Sequence, residues 1–280
     1  MKIGVSSYSF EQYIKAEKMT QFDTIEKAKE LGFDAIELTA LVPDESISQQ
    51  EYAVKCKEKA NKIEIEIASY TISANLLQEN DELLEKELYR LRGQIDIASL
   101  LGVKKMRHDA FFNLIKYRSF YNALPHIADS CRILTEYAAE KGIRTMVENH
   151  GLVCQDSIRL EQLVAAVNHD NFGLLIDMGN FICVDEDPVT AVSRLAPYAF
   201  HVHTKDMKLF GFDHPDNDVS LSRGCNKWIG TITGRGDVPV EQCISVLKKA
   251  GYDDVFSVEF EGKEDCIDAL SDSLAYLRRL

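Results

Sequence analysis

Eight strand-like and eight helix-like segments alternate without a break along this chain of 280 residues. Apolar runs with the length of buried strands lie at 2–7, 34–38, 63–69, 104–108, 144–148, 172–177, 199–203 and 255–259. An amphipathic stretch follows each, at 20–31, 48–61, 81–101, 119–141, 157–167, 188–195, 239–250 and 265–280. A strand that re-enters its sheet through a helix runs parallel to its predecessor, so the pattern dictates a parallel sheet with helical crossovers. Eight such units favour closure, and the expected fold is an α/β (β/α)8 barrel occupying residues 1–280 as one domain. Glycine ends helical stretches at Leu31-Gly32, Leu101-Gly102, Lys141-Gly142 and Ala250-Gly251, as a C-cap requires. No linker-like composition divides the chain.

The formal net charge of −13 repels a phosphate backbone, so nucleic acid is not an expected partner. The seven cysteines are odd in number and contain no C-x-x-C pair, which argues against a disulfide framework. The opening Met-Lys-Ile-Gly-Val-Ser-Ser does not read as a signal peptide, and no apolar run approaches a membrane span. A cytoplasmic protein without a membrane partner is expected, with a homo-oligomer left open.

Four runs in the second half of the chain end on a metal-ligating residue type: Glu148, Asp177, His203 and Glu259. Side chains alternate along a strand. Phe256, Val258 and Phe260 suit the layer beneath the helices, which turns Val255, Ser257, Glu259 and Glu261 inward. Thr145 and Val147 outward place Met146, Glu148 and His150 inward. Leu175 shares a parity with Asp177, and His201 with His203 and Lys205. C-terminal strand ends form the floor of a barrel active site. Three carboxylates crowded there repel one another unless a cation joins them. The expected cofactor is one divalent metal held by Glu148, Asp177, His203 and Glu259. Oxygen-rich ligation with one imidazole favours Mn²⁺ or Mg²⁺ and also admits Co²⁺ or Zn²⁺.

The motifs Val-Glu148-Asn-His, Leu-Leu-Ile-Asp177-Met-Gly-Asn, His-Val-His203-Thr-Lys-Asp and Ser-Val-Glu259 resemble the xylose isomerase-like TIM-barrel superfamily of sugar phosphate isomerases and epimerases. So do Ser6-Ser-Tyr-Ser-Phe, Phe33-Asp-Ala-Ile-Glu37-Leu and Gly234-Arg-Gly-Asp-Val. The resemblance implies the same Glu–Asp–His–Glu metal quartet, and in the ketose 3-epimerase branch the two glutamates are also the acid/base pair. It implies a carbohydrate substrate, and a metal-dependent isomerase or epimerase working through an enediolate that the metal stabilises. The superfamily also holds inosose dehydratases, hydroxypyruvate isomerases and endonuclease IV. An inosose dehydratase-like lyase is therefore the alternative, ahead of a DNA repair enzyme or a non-catalytic barrel. This chain departs from the family pattern at Asn180, where many members carry histidine, and at Arg235, where many carry glutamate.

Chemistry explains the quartet's use. A metal that chelates a carbonyl and its neighbouring hydroxyl acidifies the C–H between them, and a nearby carboxylate removes the proton. Glu148 and Glu259 are the expected catalytic residues. His108, His150, Lys205, Arg235 and Glu37 are expected around the substrate, Glu37 also as a partner supporting a ligand. His201 sits one layer below His203 and reads as a core residue. Residues 204–238 are long for a connection after the seventh strand and are expected to cover the site as a lid or wall.

Overall fold

The computed structural model describes residues 1–280. Eleven strands occur in chain order: β1 (Ile3–Ser6), β2 (Ala35–Thr39), β3 (Glu66–Ile72), β4 (Lys105–His108), β5 (Arg144–Glu148), β6 (Phe172–Asp177), β7 (Ala199–His203), β8 (Asp206–Phe210), β9 (Ser220–Leu221), β10 (Lys227–Thr231) and β11 (Phe256–Val258). The helices are α1 (Glu11–Lys15), α2 (Gln21–Leu31), α3 (Gln49–Lys62), α4 (Asp81–Leu101), α5 (Phe120–Ala139), α6 (Ser157–Val167), α7 (Pro188–Leu195), α8 (Val240–Lys249) and α9 (Cys266–Leu277). Strands β1-β11-β7-β6-β5-β4-β3-β2 form a closed barrel whose pairs are all parallel. This is the (β/α)8 barrel that the alternation predicts. No helix is long and apolar enough to cross a membrane.

Local chemistry fixes the helix ends. Thr20 and Ser48 each close a capping box with the acidic residue three positions on. Asn80, Ser119, Asp156, Asp187 and Asp265 accept backbone N–H bonds at the starts of α4, α5, α6, α7 and α9. Gly32 and Gly102 end α2 and α4 at φ +94° and +81°, in the left-handed region that glycine enters without a Cβ penalty.

Two packing environments follow from strand alternation. Outward residues such as Val5, Met106, Val147, Leu174 and Val258 join the inner faces of the helices in one continuous apolar core. The barrel interior is different. Ala35, Ala68 and Val255 form a small separate cluster there. Above them the interior turns polar, with Glu37, His201 and His203 fully buried.

The sequence misplaced β3. It expected a strand at 63–69, but α3 runs to Lys62, and Glu64 turns the chain at φ +56° before the strand begins at Glu66. The long segment after β7 is not an unstructured loop. Within it β8, β10 and β9 form an antiparallel sheet of three strands.

Candidate active site

Strands β11, β7, β6 and β5 are neighbours in the barrel, and their C-terminal ends bring Glu259, His203, Asp177 and Glu148 together. One ligand atom from each lies within 4.8 Å of every other. His203 Nδ1 is 3.5 Å from Glu259 Oε1, 3.7 Å from Asp177 Oδ2 and 4.0 Å from Glu148 Oε1.

Each of these side chains is held from behind. Glu37 on β2 is fully buried and accepts from His203 Nε2 at 3.0 Å, which turns Nδ1 toward the carboxylates. Ser69 donates to the other Glu37 oxygen at 2.7 Å. Glu37 therefore stands behind His203 rather than at the cavity surface. The Asp177 Oδ1 atom accepts the backbone N–H groups of Gly179 and Asn180 at 2.8 and 3.0 Å. Its Oδ2, like His203 Nδ1, is buried with no hydrogen-bond partner. Asn180 donates to Glu148 Oε1 at 2.9 Å and accepts from Lys205 at 3.2 Å. An amide thus fixes two site residues at once.

Two cations join the cluster. The Lys205 ammonium lies 2.6 Å from Glu259, 3.2 Å from Glu261 and 3.3 Å from Asp177. Arg107 on β4 lies 2.6 Å from Glu148 and 2.7 Å from Asp109, and donates to the Ile72 carbonyl at 3.1 Å. The sequence analysis missed Arg107 and expected its neighbour His108 at the substrate. His108 has the opposite parity. Its Nδ1 meets the Asp109 carbonyl at 2.9 Å, and it does not line the cavity. His150 does line the cavity, with Nδ1 3.0 Å from Asp109 Oδ1. Arg235 is not brought to the site. Its guanidinium pairs with Asp272 of α9 at 2.7 Å, on the surface. The Gly234-Arg-Gly-Asp turn instead wraps the buried Asp206 carboxylate, which accepts N–H bonds from Met207, Gly234, Gly236 and Val238. A Cβ at Gly236 would fall 2.1 Å from that carboxylate. His201 lies below His203, its Nε2 3.1 Å from Glu37 but out of line for a hydrogen bond.

Burial opposes charge throughout the site, and the partners decide the outcome. At Glu148 burial prevails over Arg107, and the carboxyl is raised above its usual range. At Glu259 burial is outweighed by Lys205 and His203, which hold the carboxyl well below it. Burial depresses His201 to about 4, so it is neutral.

The arrangement fits a divalent cation. Glu37, Asp109, Glu148, Asp177, Glu259 and Glu261 gather around only two permanent cations, Arg107 and Lys205. Asp177 Oδ2 and His203 Nδ1, which make no hydrogen bond although the Lys205 ammonium lies 3.3 Å from Oδ2, are the donors such an ion would use, and a carboxylate behind a ligating imidazole is the usual support of a metal histidine. Glu148, Glu259, Lys205, Arg107 and His150 line a cavity of about 280 Å³ above this point.

A barrel with an acidic, metal-competent floor at its C-terminal end defines the class of protein. Residues 25–280 match the family described as xylose isomerase-like TIM barrel, and the chain belongs to that family. Among curated relatives, an inosose dehydratase of Bacillus cereus is 27% identical over 137 residues, 48% of this chain and 46% of that protein. The chain thus matches about half the length of that relative. Among solved structures, the IOLI protein with a bound zinc atom aligns over 100% of this chain and 97% of its own, with TM-score 0.79 and 17% identity. An L-ribulose 3-epimerase aligns over 100% and 94%, with TM-score 0.75 and 16% identity. At these identities the two structures share the fold.

Proposed function

We propose that the protein is a divalent-metal-dependent isomerase or epimerase of a sugar or sugar phosphate, with Glu148, Asp177, His203 and Glu259 as ligands. One observation carries the reading: Asp177 Oδ2 and His203 Nδ1, both buried and without a hydrogen-bond partner, lie 3.7 Å apart where Glu148 and Glu259 converge. A bound Mn²⁺ or Mg²⁺, or Co²⁺ or Zn²⁺ with the same donors, would polarise the carbonyl and hydroxyl oxygens of a ketose. The zinc bound in the IOLI structure, which shares this fold, supports a divalent cation here.

The chain's own residues supply the proton chemistry. Glu148 and Glu259 come from the two outer strands of the four-strand arc and both line the cavity. Each can address a different side of a bound sugar carbon. One carboxylate removes the proton next to the carbonyl, giving an enediolate. Return of a proton from the opposite side inverts that carbon, and return to the neighbouring carbon moves the carbonyl. Lys205 and Arg107 bring positive charge beside the developing oxyanion. His150, anchored on Asp109, presents its other nitrogen to a hydroxyl at the rim.

A second reading is dehydration, favoured by the similarity to inosose dehydratase and by Lys205. The same proton removal would be followed by departure of the β-hydroxyl, which leaves as water after taking a proton from the Lys205 ammonium. The test is a panel of ketoses, their phosphates and inososes, incubated in D₂O with Mn²⁺-loaded protein. Deuterium gain without water loss is the expected result. Stoichiometric water loss establishes the lyase instead. Metal-loaded protein that exchanges no substrate proton overturns both.

A further inference from the structure

The metal cavity has a larger neighbour. A compartment of about 530 Å³, nearly twice the inner volume, shares Tyr8 and Glu261 with it as common walls. Strand β10 and the segment after β11 form one side. Gly230 and Gly262 pair there in parallel, and a Cβ at Gly230 would meet the Glu261 carbonyl at 2.6 Å. Residues 8–15 form a second side, and residues 217–220 a third. The excursion after β7 thus serves as a wall of this outer compartment.

The lining has two properties. Tyr8, Trp228 and Phe260 contribute aromatic surface, with Gln12, Asn217 and Ser220 among the polar groups beside it. Its charged groups are also already paired. Glu11 meets Lys15 at 2.9 Å, Glu261 meets Lys205 at 3.2 Å, and Asp218 pairs with Lys263. No free cation lines the compartment to hold a phosphate. Aromatic faces bordered by hydrogen-bonding groups suit a polyhydroxylated sugar ring, which presents C–H bonds on its faces and hydroxyls at its edge.

We propose that the outer compartment binds a second, uncharged sugar ring, so that the substrate is a glycoside or oligosaccharide whose reacting unit lies over Glu148 and Glu259. This rests on the proton-transfer reading of the inner cavity. Contacts to the remote ring orient the reacting unit, so they raise kcat/KM for the linked sugar over the free one.

Trp228 is the only tryptophan in the chain, so its fluorescence reports on this compartment directly. Mn²⁺-loaded protein is titrated with D-fructose and with three ketose disaccharides of different linkage: isomaltulose, turanose and lactulose. At least one disaccharide is expected to change Trp228 emission while fructose does not. The same disaccharide should exchange solvent deuterium with roughly tenfold higher kcat/KM than fructose, the scale of one well-made contact. Trp228→Ala should abolish that advantage and leave fructose within about twofold, and Trp228→Phe should retain most of it. Emission unmoved by all three disaccharides, or Trp228→Ala lowering both sugar classes equally, overturns the second-ring site while fructose exchange upholds the inner-cavity reading. A fluorescence response to a disaccharide without exchange into any sugar upholds the site and refutes that reading. Silence in both measurements refutes both.

Discussion

The Arg107 guanidinium lies 2.6 Å from the Glu148 carboxylate, buried inside the barrel wall with 6 % of its surface exposed. It also bridges to Asp109 at 2.7 Å. Removing a buried cation leaves its carboxylates uncompensated, at a cost of about 3–5 kcal/mol. Arg107→Met is expected to show that loss in urea denaturation, with substrate proton exchange down by roughly 10²-fold, the scale of removing a positioned charge. Arg107→Lys should restore little, because an ammonium lacks the planar fork that meets two carboxylates and a carbonyl together. Lysine activity near that of the parent would contradict this role.

Metal content tests the quartet. Elemental analysis should find one divalent ion per chain after reconstitution, and His203→Ala should abolish it. Glu37→Gln keeps a hydrogen-bond acceptor for His203 Nε2 but removes the charge behind the ring. Its metal affinity should fall about 10–100-fold with the fold intact, as for other such supporting carboxylates. Metal at 100 times its dissociation constant should add about 2.7 kcal/mol of stability, which chelation removes. A melting temperature indifferent to chelator would refute the site.

Glu148→Gln and Glu259→Gln separate binding from proton transfer. An amide oxygen can still ligate but is no base at neutral pH. Each variant is expected to retain metal and to lose about 10²-fold or more in solvent deuterium exchange. Full exchange in a metal-loaded variant excludes that glutamate as an acid or base.

Asp206 and Arg235 should behave in opposite ways. Asp206 gathers four backbone N–H groups from its own strand and the Gly234–Val238 turn. Asp206→Ala frees these donors and should cost about 3 kcal/mol or more, given that hydrogen bonds to charged groups are worth about 1.5–3 kcal/mol each. Arg235→Ala breaks only a surface pair with Asp272, whose side chains are 60% and 48% exposed. It should change stability by less than about 1 kcal/mol. Substrate exchange should stay within twofold. A large effect of Arg235→Ala on exchange would return it to the site.

Much of the barrel was legible in the sequence because local rules and global packing agree there. The segments of β5, β6, β7, α4, α6 and α7 were read with the bounds they have in the structure. Strand parity turned Glu148, Asp177 and His203 toward one another because their outward neighbours, such as Val147, Ile176 and Val202, had to meet the helices. Strand β4 obeys the same rule, which the expectation of His108 at the substrate ran against. In Lys105-Met-Arg-His the apolar Met106 belongs to the outer core, so the charged Lys105 and Arg107 point inward. Sorting apolar residues inward assigns such a strand the wrong way round, because here the outward layer is buried beneath helices and the barrel interior is polar.

Chain order and residue pattern suffice for the closed parallel barrel, since eight alternating units with capped helices have few other ways to bury their strands. They suffice as well for the end that carries the chemistry, because the ligand types stand at the C-terminal ends of their runs. The partners of those ligands emerge only in the folded chain. Glu37 lies 166 residues from His203, yet it supports that imidazole, and Lys205 meets Glu259 across 54 positions. The Gly234-Arg-Gly turn became an anchor for Asp206, and residues 217–220 with β10 became walls of the outer compartment. These are pairings of charges and backbone groups across closed space. Periodicity along the chain carries no information about them, because burial sets their strength and only the completed fold sets their distance.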